Sequence, residues 1–429
     1  MFFERPPSGQ QAMLLHVRAP GVNCDKEVAE LRELVVSADL EPRAIVVVTR
    51  TRPHARWFVG QGKAEEIRRA MNSNDDDLLI VNHDLTPAQQ RNMEDLLHAR
   101  VMTRTELILH IFADRARTHE GKLQVELAQY QHGRSRLVRG WTHLDRQKGG
   151  LYMRGAGESQ LELDQRMIDS RIRKLKERLE RVQRQRARSR RRRSRAKIPT
   201  IVLVGYTNAG KSSLLNALTD ASIEVQDRLF ATLDPTMRQL NLDGYGTVVV
   251  ADTVGFIRDL PIDLVEAFKA TLEEVSAADL LLHVVDSAAP EQESMCAEVD
   301  RVLTEIGAGM VPKIEVFNKI DRSTLVAGVS GSRVNVSARL EKGLEALKEV
   351  IAQRLGVINE PINVCLTPSN GKVRAWLYEL GAVVGETVQE DGGSNLSVRL
   401  DAEQINRLVS HEGVSLQEGL PNPTLLVLP

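Results

Sequence analysis

Residues 200–219 run from an apolar stretch, TIVLV, through Gly205-Tyr206-Thr207-Asn208-Ala209-Gly210-Lys211-Ser212 into a helical pattern, SSLLNALT. No other feature limits the possible folds of this chain so strongly. Glycines at the two ends of the spacing G-x-x-x-x-G-K-[ST] let successive backbone N–H groups curl inward, with a helix N-terminus behind them. That arrangement holds phosphates. Lys211 is placed to hold the β- and γ-phosphates, and the Ser212 hydroxyl to ligate Mg²⁺. A strand entering a helix through such a loop implies a mainly parallel sheet covered by helices.

Three further elements follow in order, each after a strand-like run. Asp252-Thr253-Val254-Gly255 follows TVVVA; a carboxylate there reaches Mg²⁺ through water, and the Gly255 N–H can sense a γ-phosphate. Asn318-Lys319-Ile320-Asp321 follows KIEVF. A carboxylate at Asp321 can accept from both the ring N–H and the exocyclic amine of guanine. Adenine lacks that amine and would leave the acid unpaired, which is costly. Ser337-Ala338-Arg339 follows RVNV and can offer a backbone N–H to the guanine oxygen. The expected ligand and substrate is GTP, with Mg²⁺ as cofactor. The loop Phe230-Ala231-Thr232-Leu233-Asp234-Pro235-Thr236 should supply the Mg²⁺-sensing threonine, and the residues alone leave Thr232 and Thr236 open. Lys211, Thr232 and Gly255 are the candidate catalytic residues. Phe256 stands where many GTPases carry the glutamine that orients the attacking water. An aromatic ring cannot accept that water's hydrogen bond, so slow unassisted hydrolysis is expected.

The remaining pattern divides the chain into four parts. Residues 1–102 alternate strand-like runs (12–17, 43–48, 77–81) with helical patterns near 25–37, 63–72 and 87–98, as in a small α/β domain. Within it, WFVGQGKAEEI places Gly60 and Gly62 before a helix, where a tight turn is the simpler reading than a phosphate cradle. Residues 103–197 carry two apolar seams spaced by three and four. The first is Leu123, Leu127, Tyr130, Leu137, Trp141 and Leu144, with Arg134 filling one slot; the second, with fewer interruptions, is Leu161, Ile168, Ile172, Leu175, Leu179 and Val182. The glycine-rich RQKGGLYMRGAGES lies between them, so an antiparallel helical hairpin with a basic tip is expected. Residues 198–358 form the nucleotide-binding G domain, and 359–429 a small α+β domain with no motif of its own. The net charge of −1 conceals a segment, Arg166–Lys197, with 16 Lys/Arg against 3 Asp/Glu. Nine of the fourteen residues from Arg184 to Lys197 are basic and none is acidic. With aromatics at only 4%, contact with phosphate backbone is favoured over base stacking.

These residues resemble the HflX family of GTPases. The likeness spans nearly the whole chain: WFVGQGKAEEI, RTHEGKLQVELAQ, LVRGWTHLDRQKGG, RGAGESQLELDQR, GYTNAGKSSLLNAL, LFATLDPTMR, DTVGFIRDLP and NKID. The resemblance implies an N-terminal α/β domain, a helical linker, a translation-factor-like G domain and a C-terminal appendix. It also implies binding to the ribosome, chiefly the large subunit and its RNA, splitting of stalled or idle ribosomes, and hydrolysis stimulated by that surface. It favours Thr232 over Thr236, because the matching family loop reads F-A-T-L-D. Tyr152 stands where the family tip has glycine, Ala156 where it has proline, and Ser337-Ala338-Arg339 lacks the usual following Thr-Gly.

Other readings follow from fewer residues. An RNA-remodelling protein with ATP use in its N-terminal domain rests on the WFVGQGK turn alone. A GTPase held on an anionic membrane surface by the arginine run lacks a strong apolar lipid-facing side. The start, MFFERPPSGQ, has charges and prolines where a signal peptide needs an apolar core, and no stretch approaches ~18 uncharged apolar residues. A monomeric cytoplasmic protein is expected. Three cysteines and ten histidines show no spacing that suggests a disulfide scaffold or a structural metal site.

Overall fold

The computed structural model describes residues 9–74, 78–140, 156–195, 198–219, 228–234, 236–243, 245–258, 269–355, 362–380, 382–388, 392–398, 400, 402–409 and 414–416. The chain divides into two units, residues 1–238 with 249–344, and residues 239–248 with 345–429.

The first unit opens with four parallel strands, β1 (Gln11–Arg18), β2 (Glu41–Thr49), β3 (Leu78–Val81) and β4 (Arg100–Thr103), in the order β2-β1-β3-β4. The helices α1 (Asp25–Ser37), α2 (Gln61–Asn74) and α3 (Pro87–Leu97) connect them. Threonine capping boxes start the next two helices: Thr86 pairs with Gln89 ahead of α3, and Thr103 with Glu106 ahead of α4 (Arg104–Arg115). Each box satisfies backbone donors that a helix N-terminus otherwise leaves without partners. From Thr105 to Phe112 every residue of α4 is buried, as in a helix surrounded by protein. Leu107, Ile108, Ile111 and Phe112 join Leu14, Leu31 and Leu34 in one apolar core.

Two long helices follow, α5 (His119–Gly140) and α6 (Ala156–Arg195). Leu123, Leu127 and Tyr130 of α5 pack on Ile168, Ile172, Leu175 and Leu179 of α6. Glu126 pairs with Arg171 at 2.5 Å and Arg134 with Asp169 at 2.9 Å, so the helices run in opposite directions. Forty residues at a rise of 1.5 Å make α6 about 60 Å long. The tip, residues 141–155 with Trp141, Leu144 and Tyr152, lies outside the described residues, while Ala156 is the first residue of α6.

A seven-stranded sheet comes next: β5 (Thr200–Val204), β6 (Thr236–Leu242), β7 (Gly246–Asp252), β8 (Leu280–Asp286), β9 (Lys313–Asn318), β10 (Gly328–Ser330) and β11 (Arg333–Asn335). Its order is β10-β11-β9-β8-β5-β7-β6, with β11, β9, β8, β5 and β7 paired in parallel. All five residues of β5 are buried, which fits a central parallel strand covered on both faces. The described helices of this part are α7 (Lys211–Thr219), α8 (Lys269–Ser276) and α9 (Gln292–Glu305).

The second unit holds α10 (Leu344–Leu355), β12 (Ile362–Leu366), α11 (Gly371–Glu379), β13 (Val383–Val388), β14 (Ser394–Val398), α12 (Ala402–Val409) and β15 (Val414–Leu416). Its strands form an antiparallel sheet, β13-β14-β12-β15, over a core of Val364, Leu377, Leu396, Val398 and Leu408.

Candidate nucleotide site

The C-terminal ends of β5, β7 and β9 converge on a cleft of about 460 Å³. The loop after β5 turns sharply, with Gly205 at φ +145° and Gly210 at φ +90°. A side chain at Gly205 would strike the Val284 carbonyl at 2.2 Å, and one at Gly210 would meet the Asn318 amide at 2.3 Å. Both positions therefore require glycine for space as well as for backbone angle. Asn208 adopts the left-handed conformation at φ +60°. Ala209 is buried beside it. Lys211 lies under this loop, its ammonium donating to the carbonyls of Gly205 at 3.1 Å and Tyr206 at 2.8 Å. Burial lowers its pKa to about 8, against the opposing pull of the Asp252 carboxylate.

Gly255 makes the close approach from the other side, since a Cβ there would come within 2.8 Å of both Lys211 Nζ and Thr207 Cα. The neighbouring backbone is pinned. Thr207 N–H donates to the Phe256 carbonyl at 2.7 Å and Phe256 N–H to the Gly205 carbonyl at 3.1 Å. Thr253 is buried, with its hydroxyl on the Leu203 carbonyl at 2.7 Å. The Phe256 ring belongs to the core formed with Val202, Val204 and Val275, and only 2% of the residue is exposed.

Three oxygens meet beside the phosphate loop. Ser212 Oγ donates to Asp252 Oδ2 at 2.5 Å, Thr232 Oγ1 donates to the same oxygen at 2.7 Å, and the two hydroxyls are 2.7 Å apart. Asp252 is buried, which raises its pKa, and its Oδ1 has no hydrogen-bond partner. An all-oxygen set with an unsatisfied carboxylate oxygen is suited to a hard divalent cation such as Mg²⁺. Thr236, by contrast, is the first residue of β6.

The far end of the cleft is assembled from the loops after β9 and β11. Asn318 crosses back to the phosphate loop, its amide donating to the Ala209 carbonyl at 3.1 Å and its Oδ1 accepting the Ala338 N–H at 3.0 Å. Lys319, left-handed at φ +61°, donates to the Asn208 carbonyl at 2.6 Å and pairs with Asp286 at 2.9 Å. Ile320 is buried and starts the single turn that presents Asp321. The Ser337 hydroxyl donates to Asp321 Oδ1 at 2.5 Å, and that hydrogen bond lowers the Asp321 pKa. Arg339 lines the same end.

The loop from Arg228 to Asp234 divides its residues between two environments. Ala231 and Thr232 line the cleft. Phe230 also borders it, but its ring packs edge-on against Phe112 of α4, with centroids 4.6 Å apart. Leu229, Phe230, Leu233, Val254 and Ile257 all belong to the core of the N-terminal sheet. The Asp234 carboxylate turns to the start of α5. Asp286, Arg228 and Arg322, which belong to none of the motifs, also contribute, through the Lys319 pair or by lining the cleft. Of these, Asp286 had a usable signal as an acid closing a strand-like run.

A phosphate loop, an acid and glycine after β7, and a base-end loop on one parallel sheet edge define a P-loop GTPase. Family models match residues 25–113 (GTP-binding GTPase N-terminal), 115–193 (GTP-binding GTPase Middle Region), 200–319 (50S ribosome-binding GTPase) and 322–418 (HflX C-terminal domain). A GTPase HflX of Escherichia coli (strain K12) is 45% identical over 417 residues, 96% of this chain and 98% of its own. The chain belongs to the HflX family of GTPases. A second relative, GTPase HflX of Magnetococcus marinus, is 44% identical over 95% of this chain and 97% of its own. A solved GTP-binding protein from the archaeon Sulfolobus solfataricus in complex with GDP is 25% identical, covering 81% of this chain and 98% of its own with a TM-score of 0.44.

Proposed function

We propose that this GTPase binds the large ribosomal subunit and splits or rescues stalled or idle ribosomes, hydrolysing GTP to GDP and phosphate as its switch. The observation that carries this reading is the hairpin. Helix α6 continues without a break from its apolar seam into the arginine run, as far as Arg195. A long rod ending in like charges is suited to a phosphate-rich surface. The match of residues 200–319 to the 50S ribosome-binding GTPase family supports the same partner.

In this reading the loop Gly205–Ser212 wraps the phosphates, and Lys211 exchanges its two carbonyl partners for β- and γ-phosphate oxygens. Ser212, Thr232 and Asp252 would hold Mg²⁺ between them. The ion, when bound, neutralises phosphate charge as the reaction proceeds. The Gly255 N–H senses the γ-phosphate. Asp321 reads the guanine N–H groups, with Asn318, Lys319 and Ala338 fixing the loops around it. Among the described residues no helix is long and apolar enough to cross a membrane, and we place the protein in the cytoplasm as a monomer.

Sedimentation with separated ribosomal subunits, in a GTP analogue and in GDP, tests the proposal. Co-sedimentation with the large subunit that is stronger in the analogue is expected. Absence of co-sedimentation with the large subunit in both nucleotides would refute it.

A further inference from the structure

We infer that Asp234 is a positioning residue that ties Thr232 to the first turn of the helical hairpin, so that hairpin orientation and the GTP-bound state are coupled. The inference rests on the reading of Thr232 given above. The Asp234 carboxylate accepts from the backbone N–H groups of Arg117 and Thr118 at 2.8 and 2.7 Å, and from the Thr118 hydroxyl. These donors belong to the two residues that lead into α5, where the Thr118 carbonyl accepts the Lys122 N–H and begins the helix, at the end where the helix dipole favours a negative charge. Thr118 Oγ1 in turn accepts the Gly121 N–H at 3.0 Å. Gly121 makes room for the contact, since a Cβ on it would lie 2.1 Å from Asp234 Oδ1.

Two residues upstream, the Thr232 hydroxyl is 2.7 Å from both Ser212 Oγ and Asp252 Oδ2. Two residues of chain span at most about 7 Å. The start of α5 and the hydroxyl at the phosphate site therefore cannot move far independently. Leu233, between them, is held in the N-terminal core, which removes the slack a free linker would have. Through its seam with α6, a rotation of the hairpin that displaces the first turn of α5 pulls on Thr232. By reciprocity, a nucleotide that engages Thr232 favours one hairpin orientation.

The test uses the full-length protein with Mg²⁺, and reads the ratio of affinities for a non-hydrolysable GTP analogue and for GDP. Thr232→Ala and Asp234→Ala should each lower that ratio about fivefold or more. The double variant should be no worse than Thr232→Ala alone, because both break one linkage. Gly121→Ala, which leaves the carboxylate in place but pushes it off the helix, should reproduce Asp234→Ala. Asp234→Asn, which still accepts from the N–H groups, should recover most of the ratio. Thermal melting shows that each variant is folded, and Gly121→Ala carries the test if Asp234→Ala is not. If Asp234→Ala and Gly121→Ala both keep the parental ratio while Thr232→Ala loses it, the tether is wrong and the site reading stands. Additive losses in the double variant also overturn the tether. If Thr232→Ala itself keeps the parental ratio, the reading of Thr232 fails and the inference falls with it.

Discussion

In the function proposed here, base identity turns on Asp321. Its carboxylate is oriented by the Ser337 hydroxyl at 2.5 Å and is held below its ordinary pKa by that bond, so it stays an acceptor at neutral pH. Asparagine there would present one acceptor and one donor. Asp321→Asn should weaken GTP binding and favour xanthine nucleotide, and paired nucleotide titrations check this. Parental GTP affinity in the variant would show that another group reads the base. A second residue-scale consequence concerns His283 of β8, which is 1% exposed and whose Nδ1 has no hydrogen-bond partner. Burial lowers its pKa from 6.5 to about 4. The unfolded chain therefore binds the proton more readily, so this group's contribution is complete above pH 6.5 and declines as pH falls toward about 4. Denaturant midpoints measured across that window should fall on acidification. The fall should be shallower in His283→Leu, and an equal fall would assign the acid sensitivity to other groups such as His83, whose pKa burial also lowers to about 4.

Among elements, α6 carries the clearest change of character along its length. Its N-terminal part, as far as Leu179, buries Ile168, Ile172, Leu175 and Leu179 against α5. Beyond Arg184 the sequence offers no apolar seam, and the backbone stays helical to Arg195. If half of the nine basic residues from Arg184 to Lys197 neutralise phosphates, ribosome affinity should fall with salt at a log–log slope of about −3 to −4. Replacing Arg190 to Arg193 with glutamine should flatten that slope and leave intrinsic GTP affinity at the parental value. Binding measured over a salt series decides it, and an unchanged slope would remove the arginine run from the interface. The G-x-G turn ahead of α2 is a different case. Gly60, at φ +92°, lies against the Arg50 guanidinium, whereas Gly62 sits inside the helix with open space around it. One glycine serves a turn and the other serves no steric need, which leaves little support for ATP use at that loop.

For the whole molecule, the N-terminal core and the nucleotide loops form one packed body. Leu229, Phe230 and Leu233 before β6, and Val254 and Ile257 after β7, complete a core otherwise built from the N-terminal sheet, α1, α4 and Val125 and Ala128 of α5. Polar contacts reinforce it. Tyr206 of the phosphate loop donates to Glu30 of α1 at 2.6 Å and accepts the Arg258 N–H at 2.7 Å, while Arg258 pairs with Glu27 at 3.1 Å. With the Phe256 ring buried, no side chain at that position can orient the attacking water. Basal turnover should therefore be slow and rise by orders of magnitude with large ribosomal subunits. Steady-state phosphate release with and without subunits measures this; fast turnover that ignores them would count against the switch.

The division between sequence and tertiary structure follows from contact range. The phosphate loop, the acid after β7 and the base-end loop were legible because each is a contiguous run whose chemistry depends on adjacent backbone, and each follows a long apolar strand. Four strands fall outside the apolar runs: β4, β10 and β15 have four or three residues, and β6, with seven (TMRQLNL), is a partly exposed edge strand, so pairing rather than composition makes them strands. Apolar periodicity placed the α5–α6 seam, because both partners repeat on the same face. It could not show that Phe230 meets Phe112, or that Asp234 holds the residues leading into α5, since those partners lie more than a hundred residues apart in the chain. A linear pattern marks which residues seek burial or a donor. Only the packed fold decides which core receives Leu233, which helix receives Asp234, and that Thr232, not Thr236, stands on Ser212 and Asp252.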